Sequence, residues 1–535
     1  MSSLCWLPWG DDAFARCKPL LVVIGTSLSH ACRVLDDESL DDPEVQQLIA
    51  ARFTAVRVDA DARPDLDARY QPPGQNESWP LVCVLSPAGE LLTARTRLSR
   101  TAFRQLLVHP AQDGPSPSAQ GRGNANVVDA IRAGFSPILG GFGPPPKLPH
   151  APALDLLLAL PDPWALPIVR RTLDALMEGG IHDQLGGGFH RDSTDEKWIV
   201  PHFEKRAADQ AALLGTYLAA HARTGEARYL EVARGILRYL DRLAAPGGGW
   251  FAGEAADIGA YDDGSHYTWT VDEARAALLP DELAVAQRYW DIFGRGELHT
   301  DPTRNVLFVV ASVAAIAEDL GQPAPRIAAL VATARNKLLA ARDARPRPAL
   351  DRTLYVASNA HLARILVALP DQRAAALQAL ARLYAQALGP DGAVRHSLDD
   401  TRDDTRDDSR SVAWLDSHAQ LALAALAAFD ATGDSSHRAV AARIADHLLA
   451  QFAGDQGGFF DRPRDAGGRG QLAERVRPVR DGSAASGNAL AGRLLHGLGR
   501  TDLARKLVDS LVALANEQGV RGAGLIELAH VLADR

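Results

Sequence analysis

Residues 19–35, PLLVVIGTSLSHACRVL, set an unbroken apolar run against a polar segment that contains a cysteine. The first seven read as a buried strand, because nothing polar interrupts them and β-branched residues are frequent. A helix opens directly after it. Ser29 and Cys32 stand at its start with His30 and Ala31 between them. That is the spacing at which a dithiol centre places its two cysteines. A helix start favours a thiolate through its dipole and unpaired N–H groups. Here the attacking position is a serine, which neither ionises near neutral pH nor forms a disulfide. Cys32 stands at the resolving position. It reads either as a small buried hydrophobe or as a single thiol that forms adducts.

Outward from this stretch, residues 41–52 read as a helix. FTAVRVDAD (53–61), WPLVCVLSP (79–87) and GELLTART (89–96) read as strands, and 99–108 as a second helix. This order suits a thioredoxin-like sheet. Pro80 precedes a buried strand, where that fold often holds a cis proline; a strand-initiating proline is the plain alternative. HPAQDGPSPSAQGRGN (109–124) is a linker by composition.

Beyond about residue 154 the chain becomes Ala- and Leu-rich, with about a dozen amphipathic helical segments. Gly-led connections recur: GGGFHR (186–191), GGGWFAGE (247–254), DGAVRHS (391–397) and GGFFDRP (457–463). Repeated helix pairs cannot bury their own apolar faces and must stack on neighbours. Six such hairpins close into an (α/α)6 toroid; an open superhelix is the rival. The Gly–aromatic loops are expected on one rim, where function is sought. The expected division is a thioredoxin-like domain over 1–110, a linker and brace over 111–153, and a toroid over 154–535.

The 535-residue chain carries a net charge of −9, which argues against nonspecific nucleic-acid binding. No window approaches a transmembrane span of about 20 apolar residues, so no membrane association is expected. The N-terminus does not read as a signal peptide. Four cysteines make no disulfide scaffold, and a cytoplasmic location is expected. No zinc spacing is present. DDTRDDTRDDSR (399–410) lacks the glycine-turn calcium pattern and reads as a solvated loop. GGFGPPPK is not a phosphate loop. No metal and no cofactor are expected.

The segment from WLPWGDDAFARC to DLDARY (6–70) resembles the thioredoxin-like domain of the spermatogenesis-associated protein 20 family. The resemblance continues in SWPLVCVLSPAGE (78–90), GGFGPPPKLP (140–149) and GGIHDQLGGGFHRDSTDEKWIVPHFEK (179–205). NVLFV (305–309), SVAWLDSHAQL (411–421), GGFFDRP and DGSAASGNALA (481–491) extend it over nearly the whole chain. It implies a thioredoxin-like domain followed by a toroid of six-hairpin glycosidase type, similar also to sugar epimerases. The chain is a divergent member by this reading. The family has two cysteines around His-Trp, where this chain has Ser29-His30-Ala31-Cys32. Arg206-Ala207-Ala208-Asp209 replaces Met-Leu-Tyr-Asp.

Sugar chemistry in a toroid calls for aromatic platforms, carboxylates and imidazoles. His190, His202, Glu204 and Asp416 are the catalytic candidates. Arg191, Asp195, Trp198, Trp250, Asn359, His418 and Asn488 are the ligand-binding candidates, with Asn359 the asparagine retained from the family pattern. Asp262, Asp263 and His396 are further polar candidates. Glu204 is expected at a helix start. No carboxylate pair stands out, so isomerisation or epimerisation suits the chain better than hydrolysis. The expected ligand is a small carbohydrate-like molecule. The alternatives are a monothiol oxidoreductase or redox-dependent module acting through Cys32, and a non-catalytic protein whose partner binds the thioredoxin-like domain.

Overall fold

A computed structural model of the chain describes residues 4–72, 78–110, 126–259, 261–262, 264–398 and 414–533. The N-terminal elements are α1 (Asp11–Ala15), β1 (Leu20–Gly25), α2 (His30–Leu35), α3 (Pro43–Arg52), β2 (Thr54–Asp59), α4 (Pro64–Tyr70), β3 (Leu81–Leu85), β4 (Leu91–Thr96) and α5 (Arg100–Val108). The sheet order is β2-β1-β3-β4, with β1 and β2 parallel and the other pairs antiparallel. All six residues of β1 are buried. Leu20, Val22 and Ile24 meet Trp9, Leu66, Tyr70 and Trp79 on one face. Leu21 and Val23 meet Ile49 and Phe103 on the other. A central strand covered on both faces has no polar side, which is why the run is unbroken. This is the thioredoxin-like domain, and its Trp79–Pro80 peptide is cis.

The second part begins with α6 (Val127–Gly134), inside the segment expected to be linker and brace; residues 111–125 lie outside the described residues. It continues with α7 (Ala151–Ala159), α8 (Ala165–Glu178), β5 (Lys205–Arg206), α9 (Ala207–Thr224), α10 (Ala227–Leu243), β6 (Gly253–Glu254), α11 (Val271–Ala277), α12 (Pro280–Trp290), α13 (Val313–Asp319) and α14 (Ala324–Asp343). Then come β7 (Leu350–Asp351), α15 (Val356–Leu366), α16 (Arg373–Ala387), α17 (Leu415–Thr432), α18 (Ser435–Gln451), α19 (Gly487–Gly497), α20 (Thr501–Glu517) and α21 (Ala523–Ala533).

Among the described residues, α7, α9, α15, α17, α19 and α21 form an inner ring, each packed on the next, and α21 returns to α7. The closure excludes an open superhelix. Around them α8 covers α7, α10 covers α9, α16 covers α15, α18 covers α17 and α20 covers α19, while α6 packs on α20 and α21. Alanines at the helix contacts of α17, such as Ala419, Ala422 and Ala425, are wholly buried and let the inner helices approach closely. The toroid is an (α/α)6 ring. Helices α11 to α14 stand outside it as an insertion between α10 and α15, with a separate core of Trp269, Trp290, Ile316 and Leu338. Helices α12 and α14 therefore belong to the insertion and not to the ring. Inner helices return to outer helices through short turns such as Gly225 and Gly433, both left-handed C-caps. The longer Gly–aromatic loops lie at the opposite end, with the N-termini of the inner helices.

Candidate functional site

Each Gly–aromatic loop is a tight reversal pinned by one polar side chain of the inner helix that follows. Isolated bridges close His182 on Phe189, Ala244 on Trp250, Leu388 on Val394 and Ala453 on Phe459. Gln210 accepts from the Phe189 N–H at 2.8 Å and donates to its carbonyl at 2.7 Å. Asn359 accepts from the Trp250 N–H at 2.7 Å and donates to the carbonyls of Trp250 and Tyr355. Asn488 does the same for Phe459, with Pro478 as its second acceptor. His418 Nε2 accepts from the Val394 N–H, and its Nδ1 lies 2.7 Å from the Trp414 carbonyl. Asn359, Asn488 and His418 are thus structural pins, not ligand contacts, because their hydrogen-bonding capacity is spent on buried backbone. Gly249 has φ +91°, and a Cβ there would stand 2.8 Å from Asn359 Oδ1; the glycine is needed for the clamp.

The aromatic platforms expected from sequence are core. Trp198 is fully buried and donates to the Leu139 carbonyl; Trp250 packs within the ring core. The Asp195 carboxylate accepts from the N–H groups of Lys197, Ile199 and Val200 and fixes its own loop.

His190 is also withdrawn. Its Nδ1 lies 2.8 Å from the Phe203 carbonyl and its ring is edge-on to Phe203 and Tyr267. Burial, then the nearby Lys205 charge, pushes its pKa down to about 3, so the ring stays neutral. Beneath it lies an ion knot that the sequence did not announce. Asp183 binds Lys205 at 3.0 Å and Arg342 at 2.7 Å, and accepts from the N–H groups of Leu185 and Gly186. All three charges are buried. Burial works against the Asp183 carboxylate, yet Arg342 and Lys205 hold its pKa well below the usual range. Lys205 belongs to β5, which pairs with β6, so Glu204 precedes a strand rather than a helix.

The face of the thioredoxin-like domain that carries the start of α2 docks on this end of the toroid. His30 Nδ1 meets buried Asp257 at 2.5 Å and Arg33 meets the same carboxylate at 2.7 Å. Ala256 donates its N–H to the Leu28 carbonyl, and His396 Nε2 lies 2.8 Å from the Asp61 carbonyl. Arg206 pairs with Asp61, and the Arg191 guanidinium lies 3.8 Å over the Trp79 ring. Ser29 is 8% exposed and Cys32 3%. Burial pushes the Cys32 thiol up to about 11, against hydrogen bonds from the Thr26 backbone and Ser29. A Cβ on Gly25 would stand 2.6 Å from its sulfur. The thiol is a packed core group, which runs against a nucleophilic role.

A small cleft lined by polar side chains opens where the toroid mouth meets this interface. Arg191, Arg206, Arg521, Asp209, Asp481 and Ser483 line it, with His150 and the start of α7. Ser483 donates to Asp209 Oδ1, while Asp209 Oδ2 is buried with no hydrogen-bond partner. Burial raises the Asp209 pKa and pushes Asp481 up to about 7. Beside Arg191, Asp192 holds His202 Nδ1 at 2.6 Å, and the His202 side chain keeps 37% exposure. Burial opposes the imidazolium, but the Asp192 hydrogen bond and charge raise its pKa on balance. Burial raises the Glu204 pKa, with His202 opposing.

Asp416, at the start of α17, is exposed. Its pKa is nevertheless pushed up to about 6, first by desolvation and then by Asp461. No contact joins it to His202 or Glu204 among the described residues. Asp262 caps its own turn through the Ile258 and Ser265 N–H groups. Asp263 and residues 399–410 lie outside the described residues. The described residues contain no group of three or more His, Cys, Asp or Glu placed to hold a metal, and no helix among them is long and apolar enough to cross a membrane.

Residues 2–109 match a family model described as "Thioredox_DsbH: Protein of unknown function, DUF255". The rat spermatogenesis-associated protein 20 (Rattus norvegicus) is 27% identical over 623 residues, covering 98% of this chain and 78% of the rat protein. This chain is a relative of spermatogenesis-associated protein 20. The mouse relative (Mus musculus) is 29% identical over 431 residues, 66% of this chain; the match spans about half (54%) of the mouse protein's length. Among solved structures, a family 76 glycoside hydrolase from a bovine Bacteroides thetaiotaomicron strain is similar at 12% identity and TM-score 0.40, covering 85% of this chain and 83% of that one. In this relative of spermatogenesis-associated protein 20, the Gly179–Lys205 block that carries the resemblance holds Asp183 and Lys205 of the ion knot, the Phe189 loop that Gln210 pins, and Arg191. Sequence reasoning missed Asp183, Arg342, Asp209, Asp481 and Arg521. One signal was present: Gln210, Asn359 and His418 all fall at the fourth residue of an inner helix.

Proposed function

We propose that the toroid binds a small carbohydrate-like polyol at its mouth, under a thioredoxin-like domain that serves as a docked cover without dithiol chemistry. The observation that carries this reading is Asp209. A buried carboxylate oxygen facing a polar cleft without a partner is costly unless something donates to it. A sugar hydroxyl is such a donor, and the surrounding guanidiniums and Ser483 supply further polar contacts. His202, held by Asp192 next to the cleft residue Arg191, suits proton transfer in an isomerisation or epimerisation. The monothiol reading through Cys32 is disfavoured by burial of the sulfur, and a partner on the α2 face would have to displace the toroid.

A thermal-shift screen with neutral monosaccharides, uronic acids and sugar phosphates tests this. The expected result is a saturable rise in Tm with at least one compound, abolished in D209A. No saturable response to any compound would sink the proposal.

A further inference from the structure

Beneath the mouth, the bore of the ring is charged. Asp155 on α7, His361 and Arg364 on α15, Arg493 on α19 and Glu527 on α21 lie within electrostatic reach of one another. In the ring, α15 packs chiefly on α9 and α17 among the inner helices of the described residues. Its Arg364 therefore faces residues of α7, α19 and α21 across the bore. Asp155 is four residues beyond Ala151, which lines the mouth, and so lies about 6 Å deeper along its helix.

The charges of this cluster are unevenly matched. Arg493 and Glu527 form an ion pair. Thr216 donates to Asp155 at 2.7 Å, and burial pushes that carboxyl up to about 7. Arg364 has no hydrogen bond or ion pair among the described residues, and its Nε is buried. It nevertheless retains partial solvent exposure. His361 is 8% exposed and likewise makes no hydrogen bond among the described residues. Burial, with Arg364 and Arg493 beside it, keeps that imidazole neutral. An enclosed guanidinium whose neighbouring carboxylates, Asp155 and Glu527, make no direct ion pair with it among the described residues is expensive to retain. A planar oxyanion satisfies its fork bidentately, and a neutral imidazole adds one more donor.

We propose that the bore holds an anion site centred on Arg364 and His361, which takes the carboxylate or phosphate of a small molecule. The site is distinct from the mouth and does not depend on what fills it.

Isothermal titration with inorganic phosphate, and separately with acetate, at fixed ionic strength tests the site on the full chain. Wild type is expected to bind one of the two saturably. R364Q should weaken that binding about tenfold or more, the scale of losing a charged hydrogen bond, whereas R191Q at the mouth should leave it unchanged. Phosphate and acetate together separate the two headgroup chemistries. No saturable binding by wild type overturns the inference. So does loss in R191Q, alone or together with R364Q, since the anion is then not confined to the bore; loss in R191Q alone leaves the mouth proposal standing. Should R364Q not fold, R364K replaces it: loss of the planar fork predicts severalfold weaker binding, and unchanged affinity contradicts the site.

Discussion

Cys32 shows how completely surroundings govern a side chain's chemistry. Its helix start should lower the thiol pKa, but burial against Gly25 and under the toroid outweighs the dipole. Cys83 is buried in the same core, while Cys5 and Cys17 are exposed. Titration of the native protein with a thiol reagent should therefore modify two cysteines quickly and the other two only on unfolding. Fast labelling of Cys32 would contradict this. Asn359 makes the complementary case. Removing its amide leaves the Trp250 N–H and carbonyl without their partner and takes one donor from the Tyr355 carbonyl, so N359A should destabilise by about 2–4 kcal/mol in urea unfolding. The residue type and its loop were legible in the sequence; the partner was not, since an asparagine near a Gly–aromatic loop is equally compatible with a ligand hydroxyl and with a backbone amide.

At the scale of elements, the ion knot joins the loop after α8, β5 and the end of α14, tying the insertion to the ring. D183N leaves Lys205 and Arg342 buried without their carboxylate, and a loss of about 3–5 kcal/mol is expected. The sign with pH follows from the depressed Asp183 pKa. Its stabilisation is fully present above the ordinary aspartate pKa of about 3.9 and is lost as pH falls below that value towards the folded-state pKa. Stability of wild type should therefore fall on acidification below about pH 4, and that part of the fall should be missing in D183N; identical acid profiles would contradict the knot. Helical periodicity located these elements because an amphipathic stripe repeats every 3.6 residues. It could not tell that α12 and α14 stand outside the ring, since a helix packed on an insertion core carries the same stripe as one packed on a neighbour in the toroid.

For the molecule as a whole, the arrangement that matters is the α2 face of one domain closed against the other's mouth. Sequence revealed both folds, the first through the buried β1 run and the Ser29–Cys32 spacing, the second through repeated hairpins. Their docking depends on pairs more than 200 residues apart, such as His30 with Asp257 and Asp61 with His396, and no local pattern encodes such pairs. D257A removes the shared partner of His30 and Arg33. It should raise amide exchange across residues 26–33 and speed Cys32 labelling without unfolding the ring, and unchanged exchange would count against the docked arrangement. The central claim is that the mouth binds a small polyol through Asp209. Isothermal titration of the most stabilising compound against wild type and D209A tests it most directly. The account predicts one site per chain and a loss of about tenfold or more in D209A; equal affinity in the two proteins would contradict it.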